Sequence, residues 1–594
     1  MVVIVLLCII IVVSLLHLKV NAQSSSQLRW FQSRGYWIRA RNMRKRKKTP
    51  SSPKRKSEKS KGLNQYAGDK VQVDTRDRIE NFLRPYIVLL LVLPLSFLVT
   101  LTLRLRRWWY KPKAADHEKR VSRVMKAVKT GSTSGEKFVT NRDPKKSHSV
   151  RVQDKTQFRK VKMNDLQCIL ELKTNTVVVE PGVTVGEITK YLLQHDRILE
   201  CTLEMEEATL GGLAMATGMT THSHICGLIH DTIVAYKVVL GDGRLVCATK
   251  NNEYSDLFDA LPWSHGTLGL LVALELKTVP SKPYVKLVYV PYQSQEDYVQ
   301  GYTHAVASSS NPNSVDKPFF LETIIFSQQD AVLMKGYLTD GSGADESTRR
   351  NNIGSYFKPW FFKHVQDICQ HKSEVTEIIP IYDYLMRHDR SMCMTMAYVL
   401  PFGNHWLFRY TLGWLLPPNM SLLKGSHTTK TREQSARKQV YQDIGFPMKE
   451  LKKMVNLSHD LFGIYPLLCY PCKISSRRGF LDVRGERDEA RREGSQLFLN
   501  LGIYGVPKAI LEARGFKTVL AVRELESIVR RVGGFQHTYC DSFQTESEFE
   551  SMYNHKLWKH CRAKYGAAGT FPSIFEKTHP NDIDIKLWIE QEKQ

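Results

Sequence analysis

From Tyr86 to Leu103 the chain runs for eighteen residues without a charge. Arg104, Arg106 and Arg107, then Trp108, Trp109 and Tyr110, follow at once. An apolar run of that length reaches across a bilayer's hydrocarbon or lies within it. The cation and aromatic border matches a membrane–water interface whose C-terminal side is cytoplasmic. Pro94, at the centre, predicts a kink or a bent hairpin. Beyond it, Glu118–Lys129 sets Val121, Val124, Met125 and Val128 at helical spacing, an amphipathic helix entering a soluble body. Between Lys137 and Pro280 short strands alternate with one or two helices. Thr176–Glu180 is rich in β-branched residues and stops at Pro181 and Gly182; Thr184 and Glu187 then form a capping box for a helix carrying Ile188, Tyr191 and Leu192. Val234–Leu240 and Arg244–Thr249 read as strands joined through Gly241, Asp242 and Gly243, a hairpin. After Pro280 the aromatics increase and the helices lengthen, which places a domain boundary there.

Two segments precede this body. Residues 1–22 are apolar to Leu18 except for His17, a signal-like or anchor segment. Residues 23–84 are polar and read as a basic disordered stretch, with fourteen basic residues and one acid, Glu58, between Arg29 and Lys61. That stretch supplies half of the net charge of +26. The basicity therefore belongs to a segment facing lipid headgroups or solvent, and no nucleic-acid partner is expected. At 594 residues and 42% hydrophobic the chain is globular and multidomain, which excludes a disordered regulator or a small disulfide scaffold. Its eleven cysteines show no repeating spacing, as in reduced cytosolic proteins. Cys469 and Cys472 form a lone pair without nearby His ligands, and no metal is expected.

The candidate chemistry lies in small residues. Thr209, Leu210, Gly211, Gly212, Leu213, Ala214, Met215, Ala216, Thr217, Gly218, Met219, Thr220 and Thr221 form a segment too apolar for a surface linker. Its backbone can approach a ligand closely, and its amides and hydroxyls can bind phosphate; the same residues also suit a tightly packed turn. It is neither a Rossmann fingerprint nor a P-loop. A second segment, Ser264–Gly269, precedes an apolar strand from Leu270 to Val279.

In order and context these segments resemble the FAD-binding domain of the vanillyl-alcohol-oxidase and p-cresol-methylhydroxylase superfamily. Within it the chain is similar to the sterol side-chain reductases. The matching stretches include Thr209–Gly218, Ser223 and His224, Ser255–Phe258, Phe357–Val365, Pro401–Asn404 and Gly533–Gln536, and the resemblance covers roughly residues 100–570. It implies an α+β chain: a membrane segment at 86–103, a PCMH-type FAD-binding domain at 110–280 and an α/β substrate or cap domain at 281–594. It also implies non-covalent FAD, NADPH as reductant, a sterol substrate, membrane lipid as a partner, and an endoplasmic-reticulum location with the body facing the cytosol. Homo-oligomerisation is left open. The rival readings are an oxidoreductase acting on another lipid alkene and a non-catalytic sterol- or flavin-binding membrane protein.

Under the resemblance the backbone from Thr209 to Thr221, with Gly266 and Gly269, lines the flavin. Tyr539 and Asp541 match a Tyr-x-Asp near the flavin, and Tyr539 is a candidate acid because a phenol can donate a proton within an apolar pocket. His224 could orient the flavin, and Glu204 reads as structural. Arg387, His388 and Arg390 match a basic cluster that could receive NADPH phosphates or form a solvated face. Two places depart from the family pattern. Residues 141–146 lack a Gly and a Trp while keeping Arg142, which bears on FAD affinity. Met394 and Thr395 replace Trp and Glu, which bears on substrate choice.

Overall fold

The computed structural model describes residues 65–593, apart from 71–74, 110–111, 132–134, 150–152, 311–312, 343–348, 426–428, 476–478, 482–494 and 580–583. The signal-like segment and residues 23–64 of the basic stretch lie outside the described residues. The end of that stretch, read as disordered, instead forms a strand at Ala67–Lys70 and enters a helix at Thr75.

The apolar run forms a continuous helical rod and not a hairpin. An α-helix over Thr75–Ile87 passes through a π turn at Val88–Val92 into an α-helix over Leu93–Trp109. Pro94 follows the π turn, whose wider register, with Leu93 N–H bonded to Val88 O, accommodates the missing N–H. Next, His117–Gly131 is the expected amphipathic helix, with Val121, Val124 and Val128 buried. Its first turns are pinned by Glu180, which lies at the end of the strand Thr176–Val179. The Glu180 carboxylate faces His117 Nδ1 at 2.7 Å and Arg120 Nη2 at 2.8 Å, and accepts the Cys168 N–H at 2.7 Å.

The first sheet is antiparallel, in the order Ile169–Leu172, Thr176–Val179, Leu270–Pro280, Ile233–Val239, Leu245–Thr249, with Arg197–Leu199 also pairing along the long third strand. The hairpin at Gly241–Gly243 closes two of these strands. The capping box forms: Glu187 N–H donates to Thr184 Oγ1 at 3.2 Å, and Thr184 N–H donates to the Glu187 carboxylate at 3.0 Å. A parallel pair, Phe138–Thr140 with Arg159–Val161, lies beside the sheet.

Past Pro280 the chain is built less on long helices than on a nine-stranded sheet. Its order is Arg349–Arg350, Val375–Pro380, Tyr284–Tyr292, Ala331–Thr339, Phe320–Ile325, Leu467–Ser475, Ser495–Gly505, Val440–Pro447, Phe535–Gln536, antiparallel except at the first pair. One hydrophobic core runs through both sheets. The chain then returns to the first sheet. In the helix Lys556–Lys564, Trp558 Nε1 donates to Thr267 Oγ1 at 2.9 Å and Arg562 donates to Thr267 O at 2.8 Å; farther on, Phe138 N–H donates to Thr570 O at 2.8 Å.

Candidate active site

The glycine-rich segment is the seam between the two sheets. Thr209 is extended and bridges Thr184; Leu210–Met215 makes a short helix with Leu210 and Ala214 in the core; Leu213 and Ala216 are half-buried. At the far end Leu321 N–H, on a strand of the large sheet, donates to Thr221 O at 2.8 Å. The second glycine segment is tied to the first, with His265 N–H donating to Met215 O at 2.7 Å. The two segments that the sequence singled out are thus one structure.

The glycines divide by role. A Cβ on Gly211 would lie 2.3 Å from Pro181 Cβ, one on Gly218 2.9 Å from Leu203, and one on Gly269 2.4 Å from Val238. These three serve packing. Gly212 is exposed, and a Cβ there meets only Thr209 Oγ1 at 3.1 Å and Arg142 Nη1 at 3.8 Å. Gly266 has φ 71°, and its open side faces Lys577 Nζ. Gly212 and Gly266 are therefore the places where backbone is bare to a ligand.

Cations converge on that bare backbone. Arg142 donates to Thr209 Oγ1 from within the altered loop 141–146. Lys155 Nζ reaches Arg142 O at 2.8 Å, Lys577 Nζ reaches His265 O at 2.5 Å, and Lys424 donates to Ser147 O and Ser149 O. Burial, then Arg142, lowers Lys155 to about 8; burial, then Lys155, lowers Lys577 to about 7. Burial with Lys424 and Arg142 lowers His148, in the same loop, to about 4. Arg142, Lys155 and Lys577 are each lowered by burial, and Lys424 acts on His148 beside them. Glu207 and Asp143 are the acids that act on Arg142. Together the four cations form a cradle whose chemistry fits a diphosphate. The departure from the family loop leaves Arg142 in that cradle.

The proposed catalytic residues separate. Tyr539 is half-buried, and its chain segment runs along both glycine segments: Ser149 donates to Tyr539 O at 2.8 Å, and Thr538 Oγ1 lies 2.7 Å from His265 Nε2. The Tyr539 hydroxyl faces the Asp443 carboxylate. Asp443 is buried; its carboxylate accepts from the Tyr504 hydroxyl at 2.6 Å and from Asn500 Nδ2 at 2.9 Å. Burial raises Asp443, and burial with Asp443 raises Tyr539 far above the ordinary phenol range, so Tyr539 stays protonated. Asp541 instead forms a buried ion pair with Arg432 at 2.5 Å, a structural arrangement. His224 is buried in the short helix Ser223–Cys226, and its Nε2 approaches Pro318 O at 3.4 Å. Burial, then His222, lowers it to about 3, so it stays neutral there.

Sequence reasoning missed His537. Its Nδ1 lies 3.2 Å from Thr217 Oγ1, its ring stacks between Trp263 and Tyr539, and its buried Nε2 finds no hydrogen-bond partner among the described residues. It thereby links the glycine segment to Tyr539. Asp443 was also missed, since nothing separates it in the sequence from an ordinary strand carboxylate. The basic cluster is neither a solvated face nor open to phosphate. Arg387 and His388 hold Glu322 at 2.6 Å each, all three fully buried, and Arg390 donates to the carbonyls of Ile353, Tyr356, Lys358 and Pro359. Glu204 joins this network, accepting from Thr220 Oγ1 at 2.9 Å with Arg387 3.7 Å away. Between it and Asp443 lie Met392, Cys393 and Met394, three consecutive non-glycine residues with φ 46°, 49° and 75°, a run of backbone strain at the substituted position.

A domain of the FAD binding domain family matches residues 146–249, the stretch that contains the glycine-rich segment. The chain is thus a flavoprotein oxidoreductase. It is 35% identical over 497 residues to the Delta(24)-sterol reductase of Homo sapiens, covering 82% of this chain and 92% of that one. It is 34% identical over 514 residues to that of Pisum sativum (83% and 90%) and 32% over 502 residues to a homologue from Caenorhabditis elegans (82% and 92%). The chain belongs to the delta(24)-sterol reductase family.

Proposed function

We propose that this chain reduces the C24–C25 double bond of a sterol side chain, with non-covalently bound FAD, NADPH as the reductant, and the body on the cytosolic face of the endoplasmic reticulum. The observation that carries the reading is the alignment of the cation cradle, Thr217, His537, Tyr539 and Asp443 along one seam. An isolated alkene lacks a carbonyl to stabilise charge, so reduction needs hydride at one carbon and a proton at the other. FAD, when bound, supplies the hydride chemistry. Arg142, Lys155, Lys424 and Lys577 hold its diphosphate, and the backbone at Gly212 and Gly266 allows close approach. Tyr539 keeps its proton until the substrate draws it off, and Asp443 fixes the hydroxyl through the Tyr504 and Asn500 hydrogen bonds. Asp541 and His224 act as structural residues. Glu204 and the strained Met392–Met394 run border the region where a side chain would lie.

Membranes expressing the protein, given desmosterol and NADPH, should yield a sterol heavier by two hydrogens. No mass gain with intact flavin would favour another lipid alkene. Tyr539→Phe should retain FAD and its bleaching by NADPH while turnover falls by ~10²-fold or more, the low end of what a positioned acid contributes. Full turnover in that variant would make Tyr539 a packing residue and move the acid elsewhere.

A further inference from the structure

The apolar helix Phe82–Arg106 is 25 residues long, enough by length and composition to cross a membrane. At 1.5 Å per residue it extends for roughly 37 Å, against a hydrocarbon core of about 30 Å. Its ends and its middle are nevertheless all fastened to one folded body. Before it, the strand Ala67–Lys70 pairs antiparallel with Arg514–Phe516, Ala67 opposite Phe516 and Lys70 opposite Arg514, and the Tyr66 hydroxyl donates to Glu524. After it, His117 and Arg120 clasp Glu180. Midway, Asn419 N–H donates to Ser96 Oγ, Phe97 meets Trp414 edge-on at 5.1 Å, and Val88, Leu89, Val92 and Leu93 are buried. A spanning helix would put its two ends on opposite sides of the bilayer and its middle away from the body.

The outward side of the helix is apolar and continues onto the second domain. Leu91, Leu95 and Leu98 are 65%, 50% and 54% exposed. On the second sheet's side of the chain, Trp406 (59%) and Tyr410 (62%) are exposed one helical turn apart on Trp406–Leu412. Trp414 (47%), just after that helix, meets Phe97 of the apolar helix. Arg84, Arg104 and Arg106 are exposed near the two ends of the helix. Apolar residues bordered by Trp, Tyr and Arg match a lipid leaflet: acyl chains beneath, anionic headgroups around.

We propose that the protein is held on one side of the membrane, with Phe82–Arg106 lying in the plane of a single leaflet and Trp406, Tyr410 and Trp414 inserted beside it. This surface is independent of which substrate the enzyme takes.

The test uses the full-length protein in sealed microsomes and an impermeant maleimide, with the labelled peptide located by mass spectrometry. Asp69→Cys and Lys119→Cys, both exposed positions, should label equally without detergent. Labelling of Asp69→Cys only after permeabilisation would mean that the helix spans, and would overturn the proposal. A fluorophore on Leu98→Cys and one on Tyr410→Cys, with the protein in phosphatidylcholine–phosphatidylserine vesicles, should both be quenched more by a nitroxide near the glycerol level than by one at the acyl terminus. Deepest quenching at the acyl terminus for Leu98→Cys overturns it as well. So does a blue-shifted Tyr410→Cys label that no lipid nitroxide quenches, since a second copy of the chain would then cover the face.

Discussion

Gly211 and Gly212 are adjacent and chemically identical, yet their environments differ in what a side chain would meet. Beside Gly211 stands the Pro181 turn; beside Gly212 stand only the Thr209 hydroxyl, which can rotate away, and the Arg142 guanidinium. Gly211→Val should therefore destabilise the fold, by at least the ~1–3 kcal/mol of a typical overpacking. Gly212→Val should leave the melting transition near that of the wild-type apoprotein while FAD binding is lost; flavin absorbance in the purified fraction separates the two. The pH dependence of FAD binding should also be visible. Lys577 is held at about 7 and a bound diphosphate raises it, so binding takes up a proton above that pH. Affinity should be flat below pH 7 and fall above it by up to about tenfold per pH unit. Lys577→Met should reduce that slope in flavin titrations. The sequence exposed the glycine segment because its composition is unusual. It could not assign the glycines, since each assignment depends on Pro181, Leu203 or Val238 folding back against it. Lys424 and Lys577 were hidden for the same reason: a cation becomes part of a cradle only through contacts made far along the chain.

Among the elements, local signals translated directly. The capping box at Thr184 and Glu187, the Gly241–Gly243 hairpin and the amphipathic helix at His117 depend on neighbours within a few residues, so the sequence carries them whole. The large sheet was not legible, because its pairings join distant stretches such as Phe320–Ile325 with Leu467–Ser475. Pro94 predicts a kink or a hairpin, and the π turn at Val88–Val92 shows why the hairpin does not form: a local change of register absorbs the lost hydrogen bond. The helix itself supports a prediction. Deleting residues 1–64 should leave the protein in carbonate-washed membranes, since the exposed apolar face of Phe82–Arg106 remains. Recovery in the supernatant would assign the anchor to the deleted residues.

A buried ionic knot of Glu204, Glu322, Arg387 and His388 ties the glycine-rich segment to the large sheet. Burial alone would raise Glu322, but Arg387 and His388 bring it down to about 2. A carboxylate lowered from about 4.5 contributes stability above that pH, and loses it as pH falls from about 4.5 towards 2. Glu204 is raised by burial and acts in the opposite sense. Comparing denaturation midpoints of wild type and Glu322→Gln isolates the first effect. The variant should be less stable at pH 6 by ~3–5 kcal/mol, because Arg387 loses its buried partner, and the gap should narrow towards pH 3.

The return of the C-terminal segment to the first sheet sets an order of events in the cell. Arg142 and Lys577 of the same cradle are separated by over four hundred residues of chain. A ribosome making this protein places the first sheet and the apolar helix at the membrane long before it delivers Trp558, Arg562 and Lys577. Flavin loading should therefore be a late, post-translational step. Chains interrupted between the large sheet and Lys556 should accumulate at the membrane as colourless species, anchored but unable to retain their cofactor.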